Sequence, residues 1–136
     1  WTLVNAKAVD PNPDGRATYG VGDPTIAKID GAYYLFCDRE AEGVPYRVTA
    51  WRAPDLSTPF EYLGVAAAPR AGETDDWDNH RVQDPDLGFI PELGRYVMVC
   101  NMKDLDGDPG GDFPTLEESE TRVIGMFYSH QSTTLE

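Results

Sequence analysis

Residues 21–40 read "VGDPTIAKIDGAYYLFCDRE". An Asp-Pro pair opens a short apolar run, Asp30-Gly31 turns the chain, and "AYYLFC" carries it back. Residues 82–104, "VQDPDLGFIPELGRYVMVCNMKD", say nearly the same thing. When Asp23-Pro24 is laid on Asp84-Pro85, a shift of 61, the second copy needs two more residues in its turn. Gly31 then meets Gly94, Tyr33 meets Tyr96 and Cys37 meets Cys100. A repeat of this kind outranks other organisational signals. "TIAKI" and "DLGFI" are short β-type runs, and "AYYLFC" and "RYVMVC" are β-branched and aromatic runs of strand length. Asp-Gly is a strong two-residue hairpin signal, while Pro91-Glu92-Leu93-Gly94 makes a longer turn.

Another apolar strand follows each hairpin: "YRVTAWRA" (46–53) in the first copy and "TRVIGMFYS" (121–129) in the second. The first copy continues through "PDLSTP" to a fourth strand, "FEYLGVAAA", whereas the second breaks off at "HQSTTLE". "WTLVNAKAV" at the N-terminus has the pattern of a fourth strand with nothing before it. No helical period is sustained. The expected organisation is an orphan outer strand (1–10), a first four-stranded unit (20–68) and a second (82–131). Evenly spaced strands in antiparallel four-stranded units point to an all-β fold, two blades of a β-propeller. Two blades do not close a ring. The remaining blades are expected from a longer chain, or from a homo-oligomer in which the N-terminal strand completes a neighbour's second unit.

A chain of 136 residues fits one domain, and 40% hydrophobic residues provide for a modest core. The net charge of −13 repels nucleic acid and anionic membranes, so neither is an expected partner. Three lysines stand against eight arginines, and dense acid with scarce lysine resembles proteins of salt-loving organisms. Two cysteines at equivalent places in a repeat read as small core residues rather than a disulfide.

The ordered set "GDPTIAKIDGAYYLF", "APDLSTPFEYLGVA" and "QDPDL" resembles the five-bladed β-propeller glycosidases, most of all family 43 glycoside hydrolases. The resemblance runs over about residues 20–130. It implies hydrolysis of pentose-containing polysaccharides of the arabinan or xylan type. It gives Asp23 the role of the base that activates water and Asp86 the role of tuning the acid's pKa. A related branch uses the Asp of Asp-Pro to hold substrate hydroxyls, which places Asp84 on the substrate. The family's general acid is a third-blade Glu, and no residue here matches it; Glu117 and Glu118 lie in a loop elsewhere.

Glycoside hydrolysis needs one group to protonate the leaving oxygen and another to activate water or attack carbon. Asp84 and Asp86 are two apart and on a regular strand share a face, where close carboxylates cannot both ionise freely. Asp-Pro is equally an ordinary turn opener. Trp77, in the loop "DDWDNHR", is the aromatic best suited to stack on a sugar, and Arg39 and Lys103 end equivalent strands within reach of a ligand. No cofactor is expected. Asp104, Asp106 and Asp108 alternate like a calcium loop, but Pro109 and Thr115 stand where such a loop needs Gly and Glu. His80 and His130 lack ligand-spaced partners, so no metal site is assigned. Against the hydrolase stand two alternatives: a propeller that binds sugars without cleaving them, and a structural fragment or assembly with no site.

Overall fold

The computed structural model describes residues 1–16, 18–42, 44–69, 81–104 and 121–129. Within them lie seven strands and no helix: β1 Thr18–Ile29, β2 Ala32–Ala41, β3 Val44–Ala53, β4 Glu61–Ala67, β5 Arg81–Ile90, β6 Arg95–Asp104 and β7 Thr121–Tyr128. They form two antiparallel meanders, a four-stranded sheet ordered β1-β2-β3-β4 and a three-stranded sheet ordered β5-β6-β7. Each written repeat is therefore one sheet.

Asp30 and Gly31 both take positive φ, 48° and 84°, between the paired residues Ile29 and Ala32. That is the mirror-image turn whose twist matches the strands it joins. In the second sheet Leu93 N–H donates to Ile90 O and Gly94 N–H to Pro91 O, closing the longer turn the two extra residues require.

The two Asp-Pro pairs do the same thing in both sheets. On β1, Gly22 pairs with Asp38 and Thr25 with Phe36, so Asp23-Pro24 together oppose Cys37. On β5, Gln83 pairs with Asn101 and Asp86 with Val99, so Asp84-Pro85 together oppose Cys100. Each is a β-bulge, two residues against one, and each opens on an Asp at positive φ, 46° for Asp23 and 52° for Asp84. Asp is among the few non-glycine residues that enter this region readily. Proline suits the second place because a bulge leaves one residue unpaired.

The middle strands of the first sheet, β2 and β3, are buried on both faces. Toward the second sheet, Phe36, Val48 and Ala67 pack with Val82, Met98, Cys100 and Met102. Val48 and Val82 are fully buried, each contributing roughly 1.5–3 kcal/mol. On the opposite face Cys37, Trp51, Ala53 and Phe60 form a second cluster, covered in part by Ala8 and Val9. Trp51 is held by its indole N–H on Thr49 Oγ1 (3.1 Å), and that hydroxyl donates to Cys37 O (3.0 Å). Burial pushes both thiols up to about 12, the nearby Asp38 adding to it at Cys37 and Asp84 at Cys100. The cysteines are free.

The N-terminus differs from expectation. Residues 1–16 form no strand; Ala8 O accepts from Phe60 N–H (2.7 Å), and Trp1, Leu3 and Val4 are exposed. The segment meets the sheet at Phe60, just before β4 begins, so it finds no ladder to join. It is fixed instead by Arg39, described below.

Candidate active site

The two bulges bring their acids together. Asp23 from β1, Asp84 from β5 and Asp38 from β2 each place a carboxylate oxygen within 4.8 Å of the other two. Asp23 and Asp84 are exposed; Asp38 is 3% exposed. Asp38 carries a role its sequence position does not announce. Its carboxylate accepts the backbone N–H of Gly22, its partner on β1, and the backbone N–H of Asp84 from the other sheet. It therefore ties one bulge to the other. Gly22 makes room for it, since a Cβ there would lie 2.9 Å from Asp38 Oδ1. Burial raises the pKa of Asp38, and the charges of Asp23 and Asp84 raise it further; the two backbone N–H bonds work in the opposite direction.

The repeat places Asn101 where the first sheet has Asp38. Asn101 Nδ2 and Gln83 Nε2 both donate to Asp84 Oδ2, each at 3.1 Å. Asp84 is thus oriented by amides of its own sheet while its N–H goes to Asp38.

Asp86 stands apart from this cluster. The bulge at Asp84-Pro85 interrupts the two-residue alternation that would have set Asp84 and Asp86 side by side. Asp86 Oδ1 instead accepts from Thr25 Oγ1 (3.5 Å), and Thr25 Oγ1 accepts Leu87 N–H (3.3 Å). Arg39 turns away from the carboxylates altogether. It is 2% exposed, its Nε on Pro11 O (3.0 Å) and its two terminal nitrogens forked onto Asp14 (3.1 and 2.6 Å). This bond to Arg39 is the largest influence holding Asp14 below the usual carboxylate range. Trp77, His80, His130, Glu117, Glu118, Asp106 and Asp108 fall outside the described residues.

A groove of about 160 Å³ opens beside the cluster, lined by residues 20–23 of β1, by Asp38 and Glu40 of β2 and by Tyr46 of β3. Tyr46 O–H donates to Glu40, and the Arg81 guanidinium lies 5.0 Å over the Tyr46 ring centroid.

The spacing constrains the chemistry. An inverting acid–base pair stands about 6.5–9.5 Å apart to admit a water. No two of Asp23, Asp38 and Asp84 are that far apart. An inverting partner for Asp23 must come from beyond the cluster. Among the described residues these three carboxylates are also the set grouped closely enough to share a cation; acid clusters are common without one.

No protein-family model and no curated protein matches the chain. Solved structures do. A GH43_1 enzyme from Xanthomonas citri superposes on 88% of this chain with a TM-score of 0.57 at 17% identity. The α-L-arabinofuranosidase PaAbf62A from Podospora anserina, crystallised with cellotriose, superposes on 76% with a TM-score of 0.53 at 18% identity. The fold is that of the β-propeller glycosidases. The chain spans about a third of the length of these structures, 31% and 32%. Its two sheets match blades of that architecture, and the paired Asp-Pro bulges bring acids from both sheets together.

Proposed function

We propose that this chain is part of a glycoside hydrolase-like propeller acting on pentose-containing polysaccharides of the arabinan or xylan type. Asp23 is the base that activates water. Asp84 is the carboxylate beside it, oriented by Gln83 and Asn101 toward a substrate hydroxyl or the reacting water. Asp86, two residues along β5 and in contact with Thr25, tunes the pKa of the acid. The general acid is supplied from outside the cluster. A single observation carries this reading: two acids written 61 residues apart in equivalent bulges lie within 4.8 Å of each other.

The test is release of aryl alcohol from aryl α-L-arabinofuranosides and β-D-xylosides, with Asp23→Asn as the variant. Loss of a base is expected to lower turnover by about 10²–10⁴-fold. Turnover unchanged in Asp23→Asn sinks the assignment. The anomer first released, read by NMR, tests the donor's location: inversion requires a donor beyond the cluster, and retention assigns the pair within it.

The second reading, a sugar-binding propeller without turnover, is favoured by the same short spacing, which supplies no inverting pair by itself. It predicts sugar binding by the wild type with no sugar released.

A further inference from the structure

We propose that Arg16, Arg39 and Arg47 form a receptor for a small oxyanion, a carboxylate or phosphate group, on the face of the first sheet that turns away from the carboxylate cluster. It goes beyond the glycoside reading and rests on no reaction at the Asp-Pro bulges.

Alternation along β2 sorts the run "CDRE" at 37–40. Asp38 and Glu40 share one face, and Cys37 and Arg39 share the other. Arg47 is the partner of Arg39 across the β2–β3 ladder, as Thr49 is of Cys37. Two guanidinium side chains therefore start from directly opposite positions on the far face. Like charges so placed are destabilising. The internal repeat shows that the fold does not demand the pair. Met102 follows Cys100 by two residues as Arg39 follows Cys37, and Met102 pairs with Val123. The second sheet has two apolar residues where the first has two cations. Gathering cations also runs against a chain of net charge −13.

One carboxylate already sits among them. Asp14 takes the fork of Arg39 at 3.1 and 2.6 Å, accepts the backbone N–H of Arg16 (3.3 Å) and lies 3.8 Å from Arg16 Nε. Arg39 is satisfied by this and by Pro11 O. The other two arginines are not. The Arg16 side chain is 59% exposed and reaches Asp14 only at 3.8 Å, while half-buried Arg47 spends its Nε on Pro45 O (3.3 Å). No acceptor among the described residues meets the terminal nitrogens of either. Burial, and after it the charge of Arg16, lowers the pKa of Arg47; Arg39 adds to this, and Tyr62 and Asp14 oppose it. Three guanidiniums share one carboxylate, and Arg47 bears the cost.

A second oxyanion beside Asp14 relieves it, accepting from Arg47 and Arg16 as Asp14 accepts from Arg39. Guanidinium forks match carboxylate and phosphate with paired N–H donors, and the Arg39–Asp14 pair shows that match in this chain. Cations are repelled from such a site, and neutral ligands forgo the charge.

The test is an NMR titration of the 136-residue chain with sodium acetate, inorganic phosphate and, at matched ionic strength, sodium chloride. Acetate or phosphate is expected to shift the Arg16 and Arg47 amides, and chloride is not; which of the two acts names the group taken. Arg47→Leu is expected to weaken binding about tenfold, and the more exposed Arg16→Leu about threefold. Asp14→Asn removes the resident charge and is expected to tighten binding about fivefold. Arginines that serve only to hold residues 11–14 predict no tightening. Thermal melts show that each variant is folded, and if Asp14→Asn is not, the two arginine variants decide. Absence of any response overturns the receptor. So does an equal response to chloride, which is screening, or wild-type affinity in both leucine variants. Turnover of glycosides, present or absent, leaves it standing.

Discussion

Replacing Asp23 by Asn should make the protein more stable while removing the activity proposed for it. The carboxylates of Asp23, Asp38 and Asp84 lie within 4.8 Å of one another, so each like-charge repulsion is about 0.9 kcal/mol in water and about 3.5 kcal/mol at an effective dielectric of about 20. Asp23 and Asp84 face solvent, so the lower figure governs. Asp23→Asn is then worth about 1 kcal/mol, or about 3–5 °C in Tm for a domain of this size. Asn tolerates positive φ as Asp does, so the bulge is not strained by the change. The sign with pH follows from Asp38. Its pKa is raised in the folded state, so its contribution to folding is fully present below its unfolded pKa and is lost as pH rises through the folded value. The Asn advantage is therefore greatest near neutral pH and shrinks as the pH falls into the carboxylate range. Thermal melts at neutral pH and near pH 4 check both claims. Asp86→Asn, which removes one charge from β5 outside the cluster, is the control. A lower melting temperature for Asp23→Asn at neutral pH, or an equal gain for Asp86→Asn, refutes the reasoning.

Four further outcomes are expected. Gly22→Ala should destabilise by about 1–3 kcal/mol, because its Cβ displaces the Asp38 carboxylate from the backbone N–H groups it satisfies; denaturant titration reads this. Asp14→Ala should lower the melting temperature more than Arg39→Leu does, since it leaves a buried guanidinium with Pro11 O whereas the leucine leaves a half-exposed carboxylate in water. The same pair makes the wild type lose stability as acid titrates Asp14 through its depressed pKa, a loss absent from Arg39→Leu. Neither Cys37 nor Cys100 should react with a thiol reagent at mildly alkaline pH until the protein unfolds, because burial holds both near 12.

The sheets were legible because their signals are local. Asp30-Gly31 states its turn in two letters, and "AYYLFC" and "RYVMVC" state strands. The bulges were half legible: Asp-Pro marked the place, but the shift depends on which partner residue the pair faces, and that is Cys37 or Cys100 on another strand. Counting by twos from Asp84 to Asp86 holds only in an unbroken ladder, and the bulge at Asp84-Pro85 breaks it. Asp38 was invisible for a longer-range reason. Its burial needs a side chain missing at Gly22 and an amide from Asp84 in the other sheet. The repeat held a hint, since "CD" at 37–38 aligns with "CN" at 100–101, two polar residues directly after the core cysteine. Arg39 reads as a free cation at a strand end, and only the path of residues 11–14 shows that it is spent on its own chain.

The amide of Asp84 on the carboxylate of Asp38 has a mechanical meaning. It makes the distance between the two Asp-Pro corners depend on the angle at which one sheet rests on the next. Any splaying of the wedge, as by a loosened Phe36–Val82 seam, loads that bond before it reaches the solvent-facing acids. The spacing of the three carboxylates is thereby geared to the packing of one sheet on the next.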